Sequence, residues 1–282
     1  TTLLNKQKKK LKYKIKIKKI DDNFKIRDLK SSQLPVYDIK YNQKQAFEKI
    51  SNKSSNYILE CFNAAIKLIK SKRIIGFINC PVSKENLFKK KYIGVTEFLS
   101  KKSGKKNDEV MLIYNKKLAV SPITTHIPIN QISKKINKAI IVKKVKTINQ
   151  FYNKKFRKKP NIAILGLNPH NYSYKKKSEE NEIKKAINIL IRSKIKVSGP
   201  ISPDTGFTII NRNKFDVIVG MYHDQVLTPF KSLYNFNAIN ITLGLPYLRM
   251  SPDHGVGENI VGKKIANPTS LIECLKFFNN KN

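Results

Sequence analysis

The chain has 282 residues, a formal net charge of +38 and hydrophobic residues at 40% of its positions. That length is enough for one large or two ordinary domains that fold without a disulfide or metal framework. Only six of the 57 basic residues are arginine, and the lysines extend along the whole sequence. A dedicated nucleic-acid interface gathers arginine and aromatic side chains in one patch, so we expect no specific nucleic-acid partner and only weak attraction to polyanions.

Membrane and secretory signals are missing from the sequence as given. No run approaches the 18 apolar residues of a membrane span, and no charged segment followed by an apolar one opens the chain. Three cysteines, Cys61, Cys80 and Cys274, stand far apart in apolar contexts without a C-x-x-C pair. We therefore expect buried thiols in a reducing compartment, and a soluble, cytoplasmic protein that contacts no membrane.

The first half of the chain alternates between helix and strand patterns. The run K-Y-K-I-K-I-K has period two and predicts a half-exposed strand, while Ile58, Phe62, Ile66 and Ile69 predict an amphipathic helix over about 55–71. Further elements are predicted as a short buried strand within 73–80, a helix start in VSKENL, strands over 110–114 and 117–120, and a helix over 131–152.

The second half repeats this alternation. Its predicted elements are a strand over 161–167, a helix over about 179–193, a Gly/Pro loop in VSGPISPDT, strands over 215–221 and 238–243, and a terminal helix. Asn267 and Pro268 suit the N-cap and first turn of that last helix. Helices alternating with strands predict an α/β layered fold with a largely parallel sheet.

Three histidines follow apolar runs at the predicted carboxyl ends of strands, where open α/β sheets place their ligands. They are His126 in TTHIP, His170 in GLNPH and His223 in YHDQ. Three such side chains could converge on one catalytic metal ion, but spacing alone leaves ordinary hydrogen-bonding roles equally open.

A second group of polar residues suits a small phosphorylated acid. Lys231, Asn240 and Arg249 offer an ammonium, an amide and a guanidinium fork. Arg249 is the most telling, because arginine is scarce and this one is expected in an apolar turn, whereas Lys231 could equally be a surface lysine. Asp204 and Asp224 are candidate supporting carboxylates, with an N-cap role as the alternative for Asp204.

Seven motifs in order resemble the 4-hydroxythreonine-4-phosphate dehydrogenase family. They are PVSKENL at 81–87, GVTEF at 94–98, TTHIP at 124–128, GLNPH at 166–170, GPISPDT at 199–205, MYHDQ at 221–225 and NITLGLPYLRMSPDHG at 240–255. No G-x-G-x-x-G, Walker or nucleophile-elbow motif is present, so any cofactor site is not of the Rossmann type.

The resemblance implies two α/β/α domains with an interdomain cleft, of the isocitrate and isopropylmalate dehydrogenase type. It implies a division into 1–94 with 266–282, and 95–265, the second domain carrying the metal and substrate motifs and the dimer contacts. It also implies a homodimer whose active site is shared between subunits.

The chemistry that the resemblance implies is NAD- or NADP-dependent oxidation and decarboxylation of 4-phosphooxy-L-threonine to 3-amino-2-oxopropyl phosphate, in pyridoxal phosphate biosynthesis. His126, His170 and His223 would bind a divalent metal (zinc, magnesium or cobalt). The substrate would be held by Thr96, Lys231, Asn240 and Arg249.

The chain departs from the family pattern at three places. Val95 stands where the family has a substrate-contacting histidine, and Asn171, Tyr172 and Ser173 replace an Ala-Gly-Glu sequence after His170. The family's opening strand and Gly/Pro-rich loop would precede Thr1, so we expect either a trimmed sequence or a lost first strand. These departures keep two alternatives open, a sister dehydrogenase for another phosphorylated four-carbon hydroxy acid and a non-catalytic remnant.

Overall fold

The computed structural model describes residues 1–89, 91–104, 108–172 and 178–279. The helices are α1 (Thr2–Leu11), α2 (Ser55–Lys70), α3 (Lys84–Phe88), α4 (Val95–Lys102), α5 (Ile132–Lys135), α6 (Lys138–Phe156), α7 (Glu179–Arg192), α8 (Ile209–Arg212), α9 (His223–Tyr234) and α10 (Thr269–Asn279). The strands are β1 (Lys16–Ile20), β2 (Gln33–Tyr37), β3 (Gly76–Ile78), β4 (Val110–Tyr114), β5 (Ala119–Thr124), β6 (Ile162–Leu165), β7 (Val197–Ile201), β8 (Val217–Tyr222), β9 (Ile239–Leu243) and β10 (Leu248–Pro252).

Contacts group the chain into two compact units. The first contains Thr1–Ile75, Val82–Tyr92 and Val256–Ala266, and the second contains Gly76–Pro81, Ile93–Gly255 and Asn267–Asn282. Helix α10 belongs to the second unit because it packs on β9 and β10. The domain division expected from the resemblance placed this helix in the first domain, and that division stays a prediction.

The first unit contains α1, α2, α3 and the strands β1 and β2, which pair in parallel. The predicted amphipathic helix is confirmed as α2, and Ser55 at its start donates a 2.8 Å hydrogen bond to the carbonyl of Asn86 at α3. The period-two run yields β1 only from Lys16 onward. The preceding lysine-rich stretch forms α1, a helix with no buried side chain, which the sequence analysis did not predict.

The second unit is built on an eight-stranded sheet with the order β3-β10-β9-β4-β5-β8-β6-β7. Four of its pairings are parallel, and the three around β9 and β4 are antiparallel. The α/β class is thus confirmed, but the sheet is mixed rather than largely parallel. Strand β7 replaces the predicted Gly/Pro loop, and β10 places Arg249 on a strand rather than in a turn.

Helices cover both faces of this sheet, because its central strands are apolar on both sides. Ile162, Ile164 and Val217 pack in one core with residues of α6, α7 and α10, while the alternate residues Ala163 and Ile218 pack with α9. The predicted helix over 131–152 is divided into α5 and α6. Asn137 interrupts it, because its side chain caps α6 by accepting a 3.0 Å bond from the Ile140 N–H.

Two remaining expectations concern the cysteines and the membrane. All three cysteines are free, but only Cys274 is buried. Cys61 is partly buried and Cys80, just after β3, is exposed, so the expectation of three buried thiols is wrong. Within the described residues, no helix combines the length and apolar character needed to cross a bilayer.

Candidate active site

Two of the predicted metal ligands meet at the carboxyl ends of β5 and β8. These strands are parallel and pair Thr124 with Tyr222, so the residues that follow them emerge side by side. The rings of His126 and His223 lie 5.9 Å apart between centroids, and each side chain is about one third exposed. The sheet register therefore brings together two imidazoles that are 97 residues apart in the sequence.

Each of these imidazoles has a carboxylate at its Nδ1 atom. Asp224 Oδ1 lies 2.8 Å from Nδ1 of His223, and Glu97 Oε1 lies 3.5 Å from Nδ1 of His126. A carboxylate at one ring nitrogen fixes the ring and makes the other nitrogen, here Nε2, a better metal donor. Asp224 thus contacts the ring of His223 directly, and Glu97 makes a looser contact with His126 that the sequence analysis did not foresee.

His170 lies on a separate turn after β6, with a backbone φ of 54° and an exposed side chain. The buried carboxylate of Glu180 holds this turn, since its Oε1 atom accepts hydrogen bonds from the N–H groups of Leu167 (2.9 Å) and Asn168 (2.7 Å). Gln225, which lies just after β8, donates a 2.8 Å hydrogen bond from Nε2 to the carbonyl of Gly166, the first residue of this turn.

Asp204 lies in an exposed turn that follows β7. The Ser202 side chain lowers the pKa of Asp204 most, and the charge of His170 is a smaller cause. The N-cap alternative is wrong for Asp204, because the next helix, α8, begins at Ile209 with Thr208 as its N-cap.

Across the described part of the chain, no three His, Cys, Asp or Glu side chains are grouped closely enough to hold a metal ion. The structure therefore pairs His126 with His223 in one copy of the chain and leaves His170 apart from them.

Arg249 is the most buried of the predicted substrate ligands, with 3% of its surface exposed. Its Nε donates to Asn79 Oδ1 at 2.7 Å, and its NH1 donates to Thr242 Oγ1 at 2.8 Å. Burial lowers the pKa of Arg249 to about 10, although the negative charge of Glu97 raises it. The guanidinium therefore stays positive at neutral pH. A buried cation held by neutral acceptors is suited to bind an anion.

Thr96 lies next to this guanidinium, and Asn240 lies on the same face of β9 as the guanidinium's partner Thr242. Thr96 Oγ1, in the first turn of α4, is 3.4 Å from both Arg249 NH1 and Thr242 Oγ1. Asn240 points to the same face of β9 as Thr242, since the two are separated by one residue. Its Oδ1 atom is buried and accepts no hydrogen bond from the described residues, so it has capacity for a ligand.

Lys231 is not a free surface lysine. Its Nζ donates to Asp253 Oδ2 at 2.8 Å and lies 5.0 Å from the centroid of the Phe236 ring. Burial raises the pKa of Asp253, against the hydrogen bond from Lys231 and nearby positive charges, which lower it. Lys231 is thus paired with a largely buried carboxylate.

Comparison with known proteins decides the family. The sequence profile of the family described as "Pyridoxal phosphate biosynthetic protein PdxA" matches residues 1–278. The chain belongs to this family.

Two curated relatives have the same name, 4-hydroxythreonine-4-phosphate dehydrogenase. The protein from Sulfurihydrogenibium sp. is 44% identical over 75% of this chain and 66% of its own length. The protein from Aquifex aeolicus is 41% identical over 72% of this chain and 64% of its own length. The matches span slightly less than two thirds of these relatives.

Solved structures agree with the fold. A crystal structure titled 4-hydroxythreonine-4-phosphate dehydrogenase from Klebsiella pneumoniae is 26% identical with a TM-score of 0.78, covering 93% of this chain and 82% of that one. An isocitrate dehydrogenase from Methylococcus capsulatus, 11% identical with a TM-score of 0.52, covers 80% of this chain and 74% of that one. At this identity the second comparison shows the fold alone, which is the isocitrate dehydrogenase-like architecture implied by the family resemblance.

Sequence reasoning missed the residues that support these ligands: Asn79, Glu97, Glu180, Thr242 and Asp253. Most lay within or beside the quoted motifs, but no local pattern connected them to the ligands that they support, and Asn79 lies 170 residues from its partner Arg249. The structure also has a cavity of about 490 Å³ lined by Tyr114, Lys117 and Phe277, near the start of β5. It lies at the opposite end of β5 from His126 and is separate from this site.

Proposed function

We propose that this chain is an NAD(P)-dependent, metal-dependent 4-hydroxythreonine-4-phosphate dehydrogenase. It oxidises the secondary alcohol of 4-phosphooxy-L-threonine, and the resulting β-keto acid loses CO2 to give 3-amino-2-oxopropyl phosphate. The observation that carries the proposal is the anion-binding group around the buried Arg249, on the same second unit as the His126–His223 pair. Membership of the family and the names of its relatives supply the reaction.

The residues around Arg249 bind and orient the substrate. The guanidinium is held by Asn79 and Thr242 before any ligand arrives, so its orientation requires little reorganisation on binding. Thr96 and Asn240 add a hydroxyl and an unsatisfied amide oxygen that can select hydroxyl or amino groups of a small acid.

The donor set suits a divalent metal, because His126 and His223 each present Nε2 with a carboxylate behind Nδ1. In the proposal His170 is the third ligand and comes from the second copy of a homodimer, since it lies apart from the other two within one copy. When bound, a zinc, magnesium or cobalt ion would act as a Lewis acid on the carbonyl oxygen of the keto acid. The nicotinamide cofactor, NAD or NADP, would accept the hydride.

A second candidate is a sister dehydrogenase for another phosphorylated four-carbon hydroxy acid. Val95, where the family has histidine, is 7% exposed and lies beside Thr96. A relative from Oceanobacillus iheyensis, named provisionally as a D-threonate 4-phosphate dehydrogenase, is 34% identical over 82% of this chain. The two substrates differ in carrying an amino or a hydroxyl group next to the carboxylate.

Comparing 4-phosphooxy-L-threonine with D-threonate 4-phosphate separates these candidates. Each is incubated with NAD or NADP and a divalent metal, and the products are identified by mass spectrometry. Release of CO2 with 3-amino-2-oxopropyl phosphate supports the first candidate, whereas turnover of D-threonate 4-phosphate alone supports the second. If neither substrate is consumed and the purified protein binds no metal, the chain is a non-catalytic remnant and both candidates are wrong.

A further inference from the structure

Asp253 accepts two hydrogen bonds from the ammonium group of Lys231. The Nζ atom of Lys231 donates to Oδ2 of Asp253 at 2.8 Å and to its backbone carbonyl at 3.3 Å. An ammonium has three N–H donors, so these two contacts leave one for a ligand. The Lys231 side chain is 36% exposed, whereas that of Asp253 is 9% exposed, so the lysine faces solvent from a buried anchor.

The anchor is itself fixed by the fold. Asp253 directly follows β10, and its N–H donates to Ser270 Oγ at 2.8 Å in the first turn of α10. Ser270 in turn donates to the carbonyl of Ala238 at the start of β9, and it is 2% exposed. A lysine has four flexible side-chain bonds, so its position follows that of this rigidly held carboxylate.

We infer that Asp253 is a positioning residue that holds Lys231 with one N–H left for an anionic group of the substrate. The inference rests on the proposed function, in which Lys231 binds the phosphorylated substrate. Without the Asp253 carboxylate, the Lys231 side chain moves among its rotamers, and binding must order it again. Substrate affinity therefore falls, while the groups at the reacting carbon keep their places.

A double-mutant cycle with Asp253→Asn and Lys231→Met tests the inference. Asp253→Asn keeps the side-chain shape and removes the charge, and we expect it to raise KM about tenfold with kcat changed less than about threefold. In the Lys231→Met background the same substitution should change KM less than about twofold, because its partner is gone. An equal penalty in both backgrounds would mean that Asp253 is merely structural and would overturn the inference.

Asp216→Asn is the matched control. Like Asp253, Asp216 pairs with a lysine, Lys158, at 2.6 Å, and its carboxylate accepts a hydrogen bond from the N–H of Asn161. Asp216 lies at the amino ends of β6 and β8, away from the candidate site at their carboxyl ends. Its KM should stay within about twofold of wild type.

The affinity of the wild type, the two single variants and the double variant for inorganic phosphate is then measured by calorimetry. This second double-mutant cycle requires no turnover. If the wild type consumes neither substrate, the proposed function fails, and the phosphate cycle still decides the coupling of Asp253 to Lys231. Phosphate affinity that depends on Lys231 but not on Asp253 would overturn the inference independently.

Discussion

Arg249 shows how one buried side chain can organise a binding site. Its Nε and NH1 atoms donate to Asn79 and Thr242, two acceptors on different strands or their ends, and these two bonds leave other N–H groups of the five-donor guanidinium for a ligand. A lysine at this position cannot serve both acceptors, because an ammonium lacks the planar fork of a guanidinium.

We predict that Arg249→Lys weakens substrate binding at least about tenfold and lowers the free energy of unfolding by about 1–3 kcal/mol, because buried acceptors lose a donor. Calorimetry with 4-phosphooxy-L-threonine and urea denaturation measure the two effects. Arg212→Lys on α8, where the guanidinium donates to the Phe207 carbonyl, is the control and should leave affinity unchanged. Wild-type affinity in Arg249→Lys would contradict the role given to the guanidinium.

Val95 stands where the resemblance to the family implies a histidine that contacts the substrate. Placing histidine there should raise kcat/KM for 4-phosphooxy-L-threonine about tenfold, because one more donor then faces the substrate next to Thr96. The same change should lower stability by about 1–3 kcal/mol, since the position is buried. Val95→Phe adds bulk without a donor and should not raise kcat/KM; a similar gain in both variants would argue against a substrate contact.

At the scale of elements, periodicity predicted those that are amphipathic or uniformly apolar. Helices α2 and α7 and strands β4, β6, β8 and β9 lie close to their predicted places. Strand β7 was missed because Gly199 and Pro200 indicate a loop, and β10 because Arg249 and Ser251 interrupt its apolar pattern. Arg249 and Ser251 lie on the face of β10 that carries the candidate site. The prediction of this strand therefore failed where site residues interrupt the apolar pattern of a strand.

The break between α5 and α6 gives a test of the Asn137 cap. Asn137→Ala should lower the free energy of unfolding by about 1 kcal/mol, because the Ile140 N–H loses its acceptor at the start of a 19-residue helix. Urea denaturation measures it, with the exposed Gln150→Ala in the same helix as a control that stays within about 0.5 kcal/mol. Equal stability of Asn137→Ala and wild type would show that packing alone starts α6.

Glu182 on α7 also stabilises the start of α6 and gives a pH test. Its Oε2 atom accepts from the Lys138 N–H at 3.0 Å, and this bond, followed by the Lys185 side chain, lowers its pKa. A depressed carboxyl pKa stabilises the fold above the unfolded value of about 4.5, and this contribution is lost as pH falls through the folded value. Glu182→Gln should thus cost about 0.5 kcal/mol at pH 7 and progressively less below about pH 4.5.

Urea denaturation of wild type and Glu182→Gln from pH 7 to pH 3.5 measures this dependence. Glu273→Gln, which removes a similar i,i+3 lysine pair on α10, is the control. A stability difference that stays constant with pH would exclude the electrostatic explanation.

For the whole molecule, the motifs indicated the candidate site residues, but sequence alone could not show which of them meet within one copy. His126 and His223 meet because β5 and β8 are neighbours in the sheet, and sheet order is a property of the complete fold. The proposed shared site makes a specific prediction about mixed dimers. In a dimer of His170→Ala and His223→Ala chains, one site keeps His126 and His223 from the first chain and His170 from the second.

Co-refolding these two inactive variants should therefore restore roughly a quarter of wild-type activity, since about half of the dimers are mixed and each has one complete site. A mixture of His126→Ala and His223→Ala is the control and should stay inactive, because every site then lacks a ligand. Restoration in the control mixture would contradict the pairing of His126 with His223 in one copy.

The most direct test of the central claim is metal-dependent NADH formation, followed at 340 nm with 4-phosphooxy-L-threonine and added zinc, magnesium or cobalt. Wild type and His170→Ala are assayed together, before and after treatment with a chelator. We expect turnover that requires the metal and falls by at least about a hundredfold in His170→Ala. Turnover that survives both the chelator and the loss of His170 would contradict it.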